Sequence, residues 1–343
     1  MASTADIPPP PARPLRPVEA AAALGISEAE WLLSHAPGRV VPLKPPFGPL
    51  LEALPSLGPV MSLTRNESCV HEKDGCWGQM EIGRTMGLVL NHDIDLRLFL
   101  AHWVFGFAVE TPLDQGGARL SLQFFDASGT AVHKVFARPK TDLAAYDALV
   151  ARFRDPTPPD RLDVRPMPRR EPDRPDSEID VEALRAAWDD LRDVHDFHAL
   201  LRRAGAGRAQ ALRLAGAPYA RPVAPGSVAD LFHRAAAEEV PVMIFVGNRG
   251  CIQIHTGPIR TVKPMGPWLN ILDPGFNLHL RMDHIAAAWA VWKPQSDSPV
   301  HSLELFDAEG RLIAQIFGAR KPGLPERADW QALLADIPSL GCA

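Results

Sequence analysis

The chain has 343 residues, 46% of them hydrophobic, and a formal charge of −5 at neutral pH. That length exceeds what one hydrophobic core usually organises, so two domains are expected. The mild acidity argues against a general nucleic-acid binder, and no apolar run reaches the roughly 18 residues of a membrane-spanning helix.

The opening MASTADIPPPPARPLRP lacks the apolar stretch of a secretory signal. Residues 1–20 are expected to be a disordered, Pro-rich lead, and the chain is expected to be cytoplasmic. Cys69, Cys76, Cys251 and Cys342 form neither a C-x-x-C pair nor a zinc spacing, which predicts free thiols. In AAALGISEAEWLLSHA, Gly25 stops one helix, and Ser27 with Glu30 forms a capping box for the next. From Val60 to Ala137, apolar residues at close spacing are cut by Asn, Asp and Gly, the pattern of strands and hairpins. Residues 155–176, rich in Pro, Arg and Asp, read as a linker between an N-terminal repeat (21–154) and a C-terminal repeat (177–343). Ser177 and Asp180 mark the start of a helix that Gly205 stops, and a shorter helix spans Arg208–Ala215. Strand patterns resume from Val242 to Phe317, followed by a helical tail near Asp329–Ala335. His71, Glu72 and His255 are expected to be turn and core contacts, and KPMGPW at 263–268 a rigid loop with an aromatic anchor.

The strand regions repeat. SLQFFDASG (Ser121–Gly129) recurs as SLELFDAEG (Ser302–Gly310), a shift of 302 − 121 = 181. Val60-Met61 with Asn66 recurs as Val242-Met243 with Asn248, and Asp95–Trp103 recurs as Asn277–Ile285, both shifted by 182. Matches in order at near-constant spacing indicate duplication, and two copies are too few for a solenoid. The expected fold is α+β: two tandem repeats, each a large antiparallel β-sheet with flanking helices, with a ligand site between the halves. Both DASG and DAEG are expected to be hairpin turns. His102 and His284 align across the copies, which favours a shared structural role. Arg97 aligns with His279 (97 + 182 = 279), a divergence that fits a functional position and ordinary surface drift equally.

Positions 181, 184, 188, 191, 195 and 198 read Val, Leu, Trp, Leu, His, His. Spaced alternately by three and four, they predict one helical stripe that buries both histidines. Hydrogen-bonded core histidines and a ligand pair both fit this pattern. Zinc needs three or four convergent ligands, and no H-E-x-x-H is present. Haem needs one neutral imidazole, an apolar slot and cations for its propionates, and Arg202, Arg203 and Arg208 lie nearby in sequence.

DVHDFHALLRR, the stretch from Phe245 to Arg281, SLELFDAEG, QIFGARKPG and VMSLTRNESCVHEKDG resemble, in order, the hemin-transport and hemin-degrading proteins of the cytoplasm (the HemS/ChuS/PhuS-like family). The resemblance spans about Ala21 to Ile337. It implies haem b as ligand, His195 as proximal iron ligand and His198 as an alternative. It places Arg97 and Phe99 on the opposite haem face, with Arg97 and His195 as the catalytic residues. Arg208, Lys293 and Arg320 would meet propionates or shape the rim, and Met243, Phe245, Val291 and Gln315 would line the pocket. Phe317 stands where some members carry tyrosine, so that phenol hydrogen bond is absent. Two activities are implied: haem degradation that releases iron, or a non-catalytic shuttle delivering haem to a separate oxygenase. With no G-x-G-x-x-G after a predicted strand, electrons would come from NAD(P)H bound transiently or another external reductant. The implied partners are the cytoplasmic face of an ABC haem importer, a haem oxygenase or reductase, and a second copy in a homodimer.

Overall fold

The computed structural model describes residues 15–167, 170–296, 298–320 and 324–340. The first repeat supplies β1 (Arg39–Pro42), β2 (Pro59–Arg65), β3 (Cys69–Cys76), β4 (Met80–Ile82), β5 (Gly87–Leu90), β6 (Asp95–Leu98), β7 (Phe105–Pro112), β8 (Ala118–Phe125) and β9 (Ala131–Ala137). The second supplies their equivalents: β10 (Ala220–Val223), β11 (Val242–Gly247), β12 (Cys251–Gly257), β13 (Val262–Met265), β14 (Trp268–Asp273), β15 (Phe276–Arg281), β16 (Ala287–Lys293), β17 (Val300–Phe306) and β18 (Leu312–Gly318). They form two nine-stranded antiparallel sheets, in the orders β1-β7-β8-β9-β2-β3-β15-β14-β13 and β10-β16-β17-β18-β11-β12-β6-β5-β4. The α+β architecture with two repeated halves is as the sequence implies.

The sheets, however, are not one per repeat. Each takes six strands from one copy and three from the other. Strand β6 pairs with β12, with Arg97 opposite Ile252, and β15 pairs with β3, with His279 opposite Val70. Both partners differ by 182 (279 − 97 and 252 − 70), so the exchange is pseudo-symmetric.

Two asparagines clasp the crossing. Asn66 donates its amide to the carbonyls of Gly247 and Ile313 and accepts from the backbone N–H groups of Ser68 and Cys69. Asn248 donates to Arg65 and Val132 and accepts from Gly250 and Cys251. Each amide satisfies four backbone groups that turn away from their ladders. At Gly250 the backbones come so close that a Cβ would lie 2.6 Å from Cβ of Val132.

Local expectations mostly hold. Ser27 and Glu30 form their capping box, and both D-A-x-G segments turn β-hairpins, with Gly129 and Gly310 at positive φ. Three differ. A helix begins at Pro17, so a disordered lead does not reach residue 20, and residues 1–14 lie outside the described residues. The helix expected from Ser177 is capped instead by Asp180, whose carboxylate accepts from the N–H of Ala183. KPMGPW is a β-hairpin rather than a loop, because Gly266 takes a positive φ that lets Met265 pair with Trp268.

His71 and His255 are buried core residues, as is His133. The ring of His255 stacks on Phe276 with centroids 3.7 Å apart. Burial pushes His133 and His255 down to about 3, and His71 is also held well below its ordinary value. Each folded value lies below the unfolded one near 6.5, so the unfolded chain takes up protons first as pH falls. Their contribution to stability is complete above pH 6.5 and is lost as pH falls towards 3. The loss is at most about 1.4 kcal/mol per pH unit for each histidine. Urea denaturation at pH 7 and pH 5 reads this slope, and His133→Phe should make it shallower. An unaltered slope in that variant would exclude His133 as a source.

Candidate functional site

Residues directly opposite in adjacent strands share a face of the sheet. In the second sheet, Met243, Phe317, Ser302 and Val291 form one such row, and Phe245, Gln315, Glu304 and Trp289 the next. Alternation along β11 buries Val242, Ile244 and Val246 in the core and leaves Met243 and Phe245 half-buried on the other side. Phe245 and Phe317 meet edge to face at 5.1 Å. Beyond β11 the same face continues through Ile252 and Ile254 to Arg97 and Asp95. The strand exchange is what delivers Arg97, from the first repeat, to a surface built by the second. Asp95 holds the Arg97 guanidinium, and Phe99 lies two residues on, half-buried.

Three helices, Val181–Asp189, Phe197–Ala204 and Arg208–Ala215, cover the β10-β16-β17 side of this face. Leu184, Trp188, Phe197, Leu200 and Leu212 pack there with Val291 and Phe306. Val291 therefore lies beneath helices, 1% exposed, whereas Met243, Phe245, Gln315 and Phe317 remain half-buried at the helix edge.

The expected single stripe through both histidines is not what forms. The helix ends at Asp189, and a new one starts at Phe197 after a short 3-10 turn at Val194–Asp196. The break rotates the apolar face, so Phe197, Leu200 and Leu201 are buried and His195 and His198 are exposed. Asp193 sets His195. Its carboxylate accepts from the backbone N–H of His195 and lies 2.6 Å from Nδ1 of the same residue. These bonds hold the Asp193 carboxyl below its usual range. An ionised carboxylate only accepts, so Nδ1 carries a proton, and in the neutral ring the lone pair then lies on Nε2.

Beneath the helices lies a carboxylate that sequence reasoning missed. Glu304 is completely buried, with Arg208 at 2.6 and 2.8 Å, Lys293 at 2.6 Å, Gln315 at 3.1 Å and Ser302 at 3.2 Å. Burial alone would push its pKa up, but the Arg208 and Lys293 charges outweigh that and hold it far below the carboxylate range. Burial pushes Lys293 down to about 8. Arg208 and Lys293 are thus ion-paired to Glu304, and both lie over the Phe197 ring, at 5.0 and 4.5 Å. The available signal was a charged residue in the inward register of SLELF, where the first repeat has Gln123 (304 − 181 = 123). The first repeat solves the same junction with the charges reversed. Glu28, at the helix position equivalent to Arg208 (28 + 180 = 208), pairs with Lys134 at 2.6 Å and Arg65 at 2.5 Å. Arg320 bonds Gln295 at 3.1 Å and contributes its charge at Asp193. A cavity of about 540 Å³ opens at the Phe306 end, lined by His198, Leu201, Arg202, Arg208, Phe306 and Leu312. Of the residues that sequence pointed to it takes in His198, Arg202 and Arg208, while Met243, Phe245, Gln315 and Phe317 lie outside its lining.

Residues 25–153 and 205–337 match the model of the family described as the haemin-degrading HemS.ChuX domain. The chain belongs to this family. Hemin transport protein HemS of Yersinia enterocolitica is 40% identical over 315 residues, covering 92% of this chain and 90% of that protein. The crystal structure of holo-PhuS, a heme-binding protein from Pseudomonas aeruginosa, superposes with a TM-score of 0.92 at 46% identity, covering 95% of this chain and 94% of that one. The heme degrading enzyme ChuS of Escherichia coli O157:H7 gives 0.85 at 36% identity, covering 94% of each chain.

The chemistry on this family member's second sheet fits haem. His195 is exposed on the helix side, and Arg97 continues the half-open apolar face beyond Ile252. Among the described residues no three His, Cys, Asp or Glu side chains converge on a bare metal ion, and no helix is long and apolar enough to cross a membrane.

Proposed function

We propose that this chain binds haem b as its substrate between the 194–204 segment and the open face of the second sheet, and opens the ring to release iron. His195 ligates the iron through Nε2, and Arg97 stands on the opposite side. The observation that carries this reading is the 2.6 Å contact between His195 Nδ1 and Asp193, which fixes tautomer and ring orientation in the way that partners of metal-bound histidines do. Met243, Phe245 and Phe317 supply apolar contact for the macrocycle, and Phe99 extends it next to Arg97. Arg97 keeps N–H groups beyond those turned to Asp95, and these orient water on the distal side. Arg320, next to Asp193, meets a propionate at the rim. When bound, haem supplies the redox chemistry, with electrons from an external donor such as a nicotinamide or a reductase.

The alternative is a shuttle that takes haem from the cytoplasmic face of an importer and passes it to a separate oxygenase. The exposure of the His195 side chain, 86%, favours it, because His198 is exposed one turn further on and suits ligand exchange.

A spectrum with one equivalent of hemin, followed under a reductant with catalase present, separates the readings. Loss of the Soret band with iron release supports degradation, and a band that persists until an acceptor protein is added supports the shuttle. Arg97→Ala should retain hemin affinity but slow band loss about 100-fold, the scale of removing one preorganised donor. Equal turnover would remove Arg97 from the mechanism.

A further inference from the structure

Apart from the row of Met243, Phe245, Gln315 and Phe317 lies the cavity of about 540 Å³ at the Phe306 end, a volume within the range of small-molecule sites. We propose that it binds a small organic phosphate, with the anion on Arg202 and the apolar body against Leu201, Phe306 and Leu312.

The two repeats differ at this place. The Phe197–Ala204 helix ends as Pro17–Leu24 does, on a glycine at positive φ, with the N–H of Ala206 bonded to Leu201 as that of Ile26 is to Ala21. The shift is 180, so Val18, Ala22, Ile26 and Ser27 stand where the second repeat has His198, Arg202, Ala206 and Gly207. Ile to Ala and Ser to Gly remove side-chain volume, while Val to His and Ala to Arg add polar groups. Ser27 accepts from the N–H of Glu30 at 3.2 Å and fills the space over Gly129, where a Cβ would collide with it. Gly207 has no side chain to do either.

The linker forms the facing wall. Arg170 donates to the Glu309 carbonyl in the DAEG turn at 2.7 Å, and the Arg174 carbonyl accepts from the Gln210 amide at 2.6 Å. Between them the Asp173 carboxylate lies against Gly207, so close that a Cβ there would meet it.

Charge selects the ligand class. Five arginines and two carboxylates line the cavity. Arg170, Arg174, Arg208 and Arg311 are paired with Asp173, Glu178, Glu304 and Asp307. The Arg202 side chain is exposed and has no hydrogen bond or ion pair among the described residues. A free guanidinium fork matches phosphate oxygens, and His198, one helical turn before it, adds a ring donor.

Calorimetric titration of the full chain with phenyl phosphate tests this, with inorganic phosphate and phenol as controls. Phenyl phosphate is expected to bind at one site per chain, more tightly than either control. Arg202→Ala should weaken it by about 10-fold or more, the scale of losing a hydrogen bond to a charged group. Arg202→Lys should recover part of that loss. Ala206→Ile, which restores the side chain of the first repeat, should abolish binding and leave hemin affinity unchanged. Absence of binding at millimolar concentration would overturn the site, as would binding indifferent to both Arg202→Ala and Ala206→Ile. Inorganic phosphate binding as tightly as phenyl phosphate would overturn the role of the apolar body. Hemin affinity that falls together with phenyl phosphate affinity in Ala206→Ile would assign the cavity to haem and overturn the proposal. Urea midpoints confirm that each variant is folded.

Discussion

His195→Ala should weaken hemin binding at the second sheet by more than 100-fold, with little effect on folding. The side chain is largely exposed and, among the described residues, bonds only Asp193, so stability should change by about 0.5 kcal/mol or less on its removal. Asp193→Ala is the graded companion. It leaves His195 in place but frees the ring to rotate and change tautomer, which should cost about 10–100-fold in affinity. A Soret maximum that shifts in His195→Ala and disappears only in the double His195→Ala, His198→Ala variant would mean that His198 takes over the iron. Unchanged spectrum and affinity in the double variant would exclude both histidines as ligands.

The largest stability loss is expected from Glu304→Ala. Removing this carboxylate leaves Lys293, 3% exposed, and the Arg208 guanidinium without a counter-charge, a change that typically costs about 3–5 kcal/mol. The urea midpoint reads the loss, and an unchanged midpoint would mean that water or another group replaces the carboxylate. Glu304 also adds an acid dependence. Its folded pKa is depressed, so its stabilisation is complete above its unfolded value near 4.5 and is lost as pH falls below that. Glu304→Gln should retain the Ser302 and Gln315 contacts while losing this dependence.

How much of this could be read from sequence depended on range. The capping box at Ser27, the Arg208–Ala215 helix and the two D-A-x-G turns are encoded within a few residues of themselves, and they form where expected. The duplication was legible because Asn66 and Asn248 keep the same neighbours. The exchange of strands was not, because an antiparallel edge in either copy offers the same alternating pattern to a partner from its own repeat or the other. The buried stripe through His195 failed for a different reason. Spacing of three and four assumes an unbroken helix, whereas Asp193 caps a fresh turn and re-phases the helix beyond it. Nothing local in SLELF told that Glu304 would find Arg208, 96 residues earlier, at its side. His195 and Arg97 were expected through resemblance, and the structure adds Asp193, Asp95 and Glu304 as groups bonded to expected residues.

The crossing of the two repeats also sets a timetable for synthesis. Arg97 waits for Ile252, its neighbour in the finished ladder, through 252 − 97 = 155 further residues of translation. At about 5–20 residues per second that is roughly 8–30 s. During that interval Leu96 and Leu98, fully buried in the folded chain, belong to a strand paired with β5 alone, its other edge open. A ribosome-bound chain stopped after residue 154 should therefore bind trigger-type chaperones and expose Met80–Leu98 to protease. Extension past Gly257 should release the one and protect the other.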